Sequence, residues 1–376
     1  MRIALFSGNY NYLREGANQA LNRLVAYLEA KAGCQVRVYS PVTDRPAFEP
    51  AGTLVPVPSI ALPVRSEFRL ALGLPSAIRA DVRSFDPDIV HVSTPDILNM
   101  RAQTLAKQMG VPIVISMHTQ FESYLDYYGI GWLRPLVEAH LRRFYRRGNH
   151  VVAPTPALVD AVCRMRGDES ASVWSRGVDR LMFNPSRRDA DWRLRMGLAD
   201  EEIAVLFFGR LVLEKGIGTF VEVVRELRRR GARVRALVVG DGPASGLFHD
   251  LPGAILTGHL EGTALARAIA SADVMLTPST TETFGNVVLE AMASGVPVVS
   301  ADAPSARALL VEGVTGLLCP PRDIAQYADH IMQLVDRHEL RAQVGSAARQ
   351  ASHAFSWDAS CESVVRAYGL ARGSAH

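Results

Sequence analysis

Short runs of aliphatic and β-branched residues alternate along this chain with longer segments whose apolar positions recur every three or four residues. The first runs are Ile3–Ser7, Gln35–Ser40, Asp88–Ser93, Pro112–His118 and Val151–Pro154. A second series follows at Ala204–Gly209, Arg235–Gly240, Ala254–Thr257, Val274–Pro278 and Pro297–Ala301. Most are continuously apolar, as expected of strands buried on both faces. Strand and helix in turn predict parallel sheets joined by crossover helices, an α/β architecture. Because the series begins again at Ala204, two doubly wound, Rossmann-like domains are expected, 1–178 and 179–355. The break falls near Arg176-Gly177-Val178-Asp179, ahead of the polar Arg187–Asp191 stretch. A long helical region from Arg322 to Ala351 precedes a last helix at about Trp357–Leu370, within a terminal segment 356–376.

Composition narrows the class. The chain has 376 residues, 48% hydrophobic and 21% charged, ordinary for a globular protein with sizeable cores. Its net charge of +3 gives no argument for nucleic acid. No apolar run approaches the roughly 18 residues of a membrane span, and the N-terminal run is too short for a signal peptide. Cys34, Cys163, Cys319 and Cys361 are far apart and form no metal-ligand spacing, so a cytoplasmic setting is expected.

The most informative stretch runs from Thr281 to Met292. It sets Glu282 before an apolar helical pattern and Glu290 two turns inside it. Eight residues at about 1.5 Å each make roughly 12 Å, comparable to the span of a nucleotide-sugar from ribose to hexose. A helix N-terminus between them favours an anion such as a pyrophosphate.

With Glu-Thr-Phe-Gly at one end and Leu-Glu-Ala-Met-Ala-Ser-Gly-Val-Pro-Val-Val at the other, the pair resembles the E-x7-E motif of the retaining glycosyltransferases of family 4. The resemblance implies the GT-B fold, two Rossmann-like domains facing across a cleft, with the last helix crossing back to the first. It implies that Glu290 accepts hydrogen bonds from the ribose and that Glu282 faces the donor sugar. The backbone of Phe284, Gly285, Asn286 and Val287 would then approach the sugar and β-phosphate. Arg210 and Lys215 correspond to the family's R-x4-K pair, which grips the diphosphate; a guanidinium fork and an ammonium suit linked phosphates. His118, in Met-His-Thr-Gln-Phe121, corresponds to a histidine that reaches the donor hexose near the reacting carbon.

Other features are weaker. Gly16 opens the first helix, where relatives carry a glycine-rich loop; Glu15-Gly16 replaces the commoner double glycine. Gly240-Asp241-Gly242-Pro243 is a turn common in the family on the nucleotide side, but it fails the dinucleotide fingerprint because Ser245 stands where a third glycine is needed. The D-x-D strings at Asp86–Asp88 and Asp189–Asp191 lead into a strand and a linker, so no metal and no other cofactor is expected.

Residues Gly131–Arg147 form a basic amphipathic pattern. Leu133, Val137, Leu141 and Phe144/Tyr145 share one stripe, and Arg142, Arg143, Arg146 and Arg147 the rest, with Trp132 at the start. Such a helix fits an anionic membrane surface; equally, its stripe faces the sheet and its arginines are solvated. The strings Ala-Pro-Thr-Pro-Ala-Leu and Trp-Ser-Arg-Gly-Val-Asp-Arg-Leu-Met-Phe-Asn-Pro resemble a subset of the family. That subset contains diacylglycerol glycosyltransferases, the sulfoquinovosyl-diacylglycerol synthases among them, and bacterial GDP-mannose-dependent α-mannosyltransferases. The expected activity is transfer of a hexose or hexuronic acid from a UDP-sugar to a lipid hydroxyl of diacylglycerol or ceramide. The expected location is the inner face of the cell membrane. GDP-mannose-dependent mannosyl transfer to a lipid or glycan is the close rival, and a sugar-nucleotide epimerase a more distant one. Spacing does not resolve the base, whose pocket is expected around Thr257–Glu261.

Overall fold

The computed structural model describes residues 1–13, 15–62, 68–120, 125 and 129–373. The chain divides into two compact units, Met1–Gly177 with Trp357–His376 and Val178–Ser356. Each is a parallel sheet layered with helices.

The first unit holds a seven-stranded sheet in the order Thr53–Pro56, Gln35–Ser40, Arg2–Phe6, Ile89–Val92, Ile113–Ser116, His150–Ala153, Ala171–Val173. The second holds six strands in the order Ile255–Leu256, Val234–Val239, Ile203–Phe208, Val274–Thr277, Val298–Ala301, Leu317–Cys319. Adjacent strands pair in parallel throughout both sheets. The central strands are wholly buried, which explains their unbroken apolar character. Strand order reverses next to Arg2–Phe6 in the first sheet and next to Ile203–Phe208 in the second. Open sheets bind ligands beyond the carboxyl edge at such reversals, because the two flanking loops diverge to opposite faces there.

The C-terminal helix Trp357–Gly373 belongs to the first unit. Cys361, Val364, Ala367, Tyr368 and Ala371, spaced at helical intervals, enter one core with Ile3, Leu5, Val114, Val152 and Trp174. The helical region after Arg322 is two helices rather than one, Ile324–Asp336 and His338–Ser352. Arg337 separates them with an extended backbone, φ −117° and ψ 86°. No helix of the described residues is long and apolar enough to cross a membrane.

His91 lies at the centre of the first sheet, fully buried, its Nδ1 2.7 Å from the Tyr368 hydroxyl on the C-terminal helix. Its Nε2 is enclosed without a hydrogen-bond partner among the described residues. Burial pulls its pKa from 6.5 down to about 3. The unfolded chain therefore binds a proton between those values that the folded chain refuses. Stability is fully present above pH 6.5 and falls on acidification, by up to about 1.4 kcal/mol per pH unit from this one group. Urea unfolding at pH 7.5 and 5.0 should show that loss, and His91→Gln should flatten it by about one group's share. Equal slopes in the two proteins would count against the assignment.

Candidate active site

In the second unit the two loops that flank the strand-order reversal are those that carry the predicted donor residues. After Ile203–Phe208 the chain passes through Gly209 to Arg210, which is exposed, and then into the short turn Leu213–Lys215. Gly216 (φ 74°) reverses it into the helix Ile217–Arg229. After Val274–Thr277 the chain runs through Pro278–Phe284 to Gly285, which caps the helix Asn286–Ala293.

Gly285 adopts φ 98°, a left-handed conformation that costs a residue bearing Cβ. Helix geometry therefore begins only at Asn286, four residues beyond Glu282. The 12 Å helical measure expected between Glu282 and Glu290 does not hold across the whole interval, because its first half is loop. Glu290 stands in the helix and is half-buried. Phe284 turns its ring into the core, edge-on to Phe355 at 6.0 Å, so only its backbone is left for a ligand. Val288 and Leu289 N–H donate to the Gly285 carbonyl at 3.0 and 3.2 Å, so Asn286 and Val287 lead the helix ahead of its first bonds; among the described residues the Asn286 Oδ1 is enclosed without a partner.

Lys215 Nζ donates to Glu282 Oε1, joining the two loops across the reversal. Both side chains are largely buried, 26% and 19% exposed, where the cost of desolvating two charges offsets much of their attraction; the pair holds a cation and an acid in register at the strand edge. The Ser279 and Thr281 hydroxyls donate to the Glu214 carbonyl at 3.3 and 3.2 Å, fastening the same loops beside it. A third loop closes on the first. Leu211 N–H donates to the Asp241 carbonyl at 2.9 Å and Ala244 N–H to the Leu211 carbonyl at 2.8 Å. Gly242 packs directly on that backbone: a Cβ there would sit 2.5 Å from the Leu211 oxygen. Arg210, Lys215, Gly242, Glu282, Phe284–Val287 and Glu290 thus all stand on one edge of one sheet.

In the first unit Gly16 opens the helix Gly16–Ala30. The loop before it meets the one after Ile89–Val92 at that sheet's own reversal, where Gly8 N–H donates to Thr94 Oγ1 at 3.0 Å. Asn9, not anticipated from the sequence, places both side-chain polar atoms there without hydrogen-bond partners among the described residues. His118 follows the strand Ile113–Ser116. Its Nε2 is 2.9 Å from Ser116 Oγ, its Nδ1 accepts from Arg176 Nη2 at 3.1 Å, and its ring stands edge-on to Trp174 at 5.3 Å. Burial, then the fields of Arg176 and His91, hold its pKa well below 6.5. The arginine of the Trp-Ser-Arg-Gly string reaches His118, a contact that no spacing in the sequence indicates. Phe121 lies outside the described residues.

The basic segment splits into Gly131–Leu133 and the helix Arg134–Tyr145. Leu141, Phe144 and Tyr145 join the first core, with Val137 packed against it, so the apolar stripe faces inward. Two of the four arginines are engaged in the fold: Arg146 donates to the Met165 and Arg166 carbonyls at 3.2 and 3.0 Å, and Arg147 to Thr104 Oγ1 at 2.7 Å. Arg142 and Arg143 are exposed. At the other end of the same segment Trp132 and Leu136 are 76% and 69% exposed. The D-x-D strings serve structure: Asp86 pairs with Arg2 at 2.6 Å, and Asp189 caps the helix Ala190–Arg195.

Residues 14–180 match the family model described as Glycosyltransferase Family 4, and residues 202–337 match Glycosyl transferases group 1. Sulfoquinovosyl transferase SQD2 of Arabidopsis thaliana is 31% identical over 95% of this chain and 71% of its own length. A GDP-mannose-dependent alpha-mannosyltransferase of Mycolicibacterium smegmatis is 32% identical over 99% of this chain and 98% of its own. The alpha-monoglucosyldiacylglycerol synthase of Acholeplasma laidlawii is 25% identical over 89% and 88%. Among solved structures, sucrose-phosphate synthase from Thermosynechococcus elongatus has a TM-score of 0.77 at 20% identity over 98% of both chains, a likeness of fold.

The crowding at Gly242 makes a direct test of the loop convergence. Gly242→Ala should cost about 1–3 kcal/mol, by overpacking against the Leu211 carbonyl. Gly246→Ala, where a Cβ meets nothing within 4 Å, should leave the thermal midpoint near wild type. Equal midpoints for the two variants would contradict the packing described.

Proposed function

The chain belongs to glycosyltransferase family 4 and is a glycosyltransferase of GT-B fold; we propose that it moves a hexose or hexuronic acid from a UDP-sugar to a membrane-lipid hydroxyl, with retention at the anomeric carbon. The observation that carries the donor side is the strand-order reversal of the second unit. There Lys215, Glu282 and the Asn286–Ala293 N-terminus share one edge with Arg210 and Glu290. Arg210, Lys215 and the helix N-terminus hold the diphosphate, and Glu290 accepts from the ribose. Glu282 reads sugar hydroxyls. Arrival of the diphosphate gives Lys215 a second anion beside Glu282, so the cation is already oriented where charge builds on the leaving group.

No group on this edge is assigned as a covalent nucleophile. The acceptor oxygen attacks from the face the diphosphate leaves, through an oxocarbenium-like transition state, and a departing phosphate oxygen takes the acceptor proton. The positive field comes from the chain's own cations, without a metal.

The lipid acceptor is supported by the alpha-monoglucosyldiacylglycerol synthase relative and by a segment that exposes Trp132 and Leu136 at one end and Arg142 and Arg143 at the other. Exposed apolar and basic residues on one segment suit an anionic bilayer surface. A second reading, mannosyl transfer from GDP-mannose, is favoured by the full-length mannosyltransferase relative and by Glu261. That carboxylate, held at 2.7 Å by His259, is an acceptor suited to the donor edge of guanine.

The test is incubation with UDP- and GDP-sugars and a total lipid extract, with products read by mass spectrometry. A new glycolipid from a UDP-sugar is expected. A mannolipid or mannosylated glycan from GDP-mannose alone would establish the second reading, and no transfer from any donor would reject both. Lys215→Ala should lower turnover by about 10²–10³, whereas Glu290→Ala should chiefly weaken donor binding; wild-type kinetics in both would remove those assignments.

Vesicle flotation tests the surface separately. Binding to vesicles of phosphatidylglycerol should drop on Trp132→Ala, and on Arg142→Gln with Arg143→Gln, while phosphatidylcholine vesicles bind weakly throughout. Unaltered binding by both variants would exclude this face.

A further inference from the structure

Arg176 is the most unusual charged group in the first unit. It is 3% exposed, yet among the described residues its hydrogen-bond partners are all neutral. Its Nη1 donates to the Trp174 and Ser175 carbonyls at 2.9 and 3.1 Å, and its Nη2 donates to His118 Nδ1 at 3.1 Å. The guanidinium lies 4.6 Å from the Trp174 ring centroid, and that indole is itself buried. Enclosing a guanidinium without a carboxylate is expensive. Two carbonyls near its own place in the chain are a small return for it; the long-range contact, 58 residues away, is the one to the imidazole.

That contact has a chemical consequence. A guanidinium donates hydrogen bonds and accepts none. The His118 Nδ1 must therefore offer its lone pair, and the one ring proton of the neutral imidazole must sit on Nε2. Ser116 Oγ, 2.9 Å from Nε2, accepts it. A doubly protonated ring would set N–H against N–H and one cation beside another. Among the described residues, His91 and Arg176 are titratable groups whose fields reach the ring, and both oppose its protonation.

We propose that Arg176 is a positioning residue for the transfer reaction: it holds His118 as the neutral Nε2–H tautomer, so that the ring presents an N–H to a sugar hydroxyl and never a lone pair. His118 is then a hydrogen-bond donor in the reaction, not its acid or base. Ser116 Oγ is the resting acceptor, which the hydroxyl replaces. The proposal rests on the functional reading above only for the identity of that hydroxyl; the tautomer is a property of the free protein.

The test is long-range proton–nitrogen correlation NMR on full-length protein labelled with ¹⁵N-histidine, with His118 assigned by the peak lost in His118→Gln. Wild type at pH 7.5 should show Nδ1 unprotonated and Nε2 protonated. An Nδ1–H tautomer or an imidazolium in wild type overturns the proposal without any variant. Arg176→Met should shift His118 toward a tautomer mixture and lower kcat by about 10- to 100-fold, the usual effect of losing an imidazole's orienting partner, with KM for the donor little changed. Arg176→Lys, which restores a donor, should recover the tautomer and much of kcat. Loss of activity in both variants with the wild-type tautomer retained would reduce Arg176 to a structural part and overturn the proposal. If wild type makes no glycoside at all, the functional reading fails instead, and the tautomer measurement still stands or falls on its own.

Discussion

Parallel hydrogen bonding is the constraint from which the sites follow. It points every strand of a sheet the same way, so all carboxyl ends of that sheet fall on one edge. Crossover helices return the chain to the opposite edge each time, and where the winding reverses, two loops part to opposite faces. In the second unit those loops carry Arg210 with Lys215 and Glu282 with Gly285. Residues far apart in sequence are collected there by topology, before any side chain contributes.

Side chains then fix the details. The Lys215–Glu282 pair is largely buried, so desolvation offsets much of its attraction. Its value lies in orientation, since a long flexible ammonium is held at one place. The backbone contacts between 209–212 and 240–244 do for the main chain what that pair does for side chains. They leave no room at Gly242 and so couple loop shape to sequence. In the first unit the same economy appears around His118, whose two ring nitrogens are both engaged.

Much of the architecture could be read from the chain alone. All ten strands expected from the apolar runs are present, because buried parallel strands carry a dense signal. The strands not anticipated are short: the edge strands Thr53–Pro56, Ala171–Val173 and Leu317–Cys319, and the separate antiparallel pair Ser59–Ala61 and Arg69–Ala71. With three or four residues each, they are too brief for periodicity to register. The break at Arg337 was hidden because both flanking helices share helical spacing. At the site, motif resemblance pointed to single residues, but not to their partners. Lys215 meets Glu282 across 67 positions, and no spacing rule joins Arg176 to His118. Burial decided the basic helix likewise: composition could not tell that Arg146 and Arg147 would be drawn to carbonyl and hydroxyl oxygens while Arg142 and Arg143 stayed in solvent.

The C-terminal helix gives the chain a nested order. The first unit is interrupted at Gly177 and resumes at Trp357, whereas the second is continuous from Val178 to Ser356. During synthesis the second unit can therefore close its core while the first still lacks Val364, Ala367 and Tyr368. Until the final turns leave the ribosome, one face of the older sheet is covered only in part, by the helix Gly16–Ala30, and the region around His91 lacks its Tyr368 partner. Of the two units, the one begun first is the one finished last, and its partly covered sheet face is where a chaperone would find apolar surface.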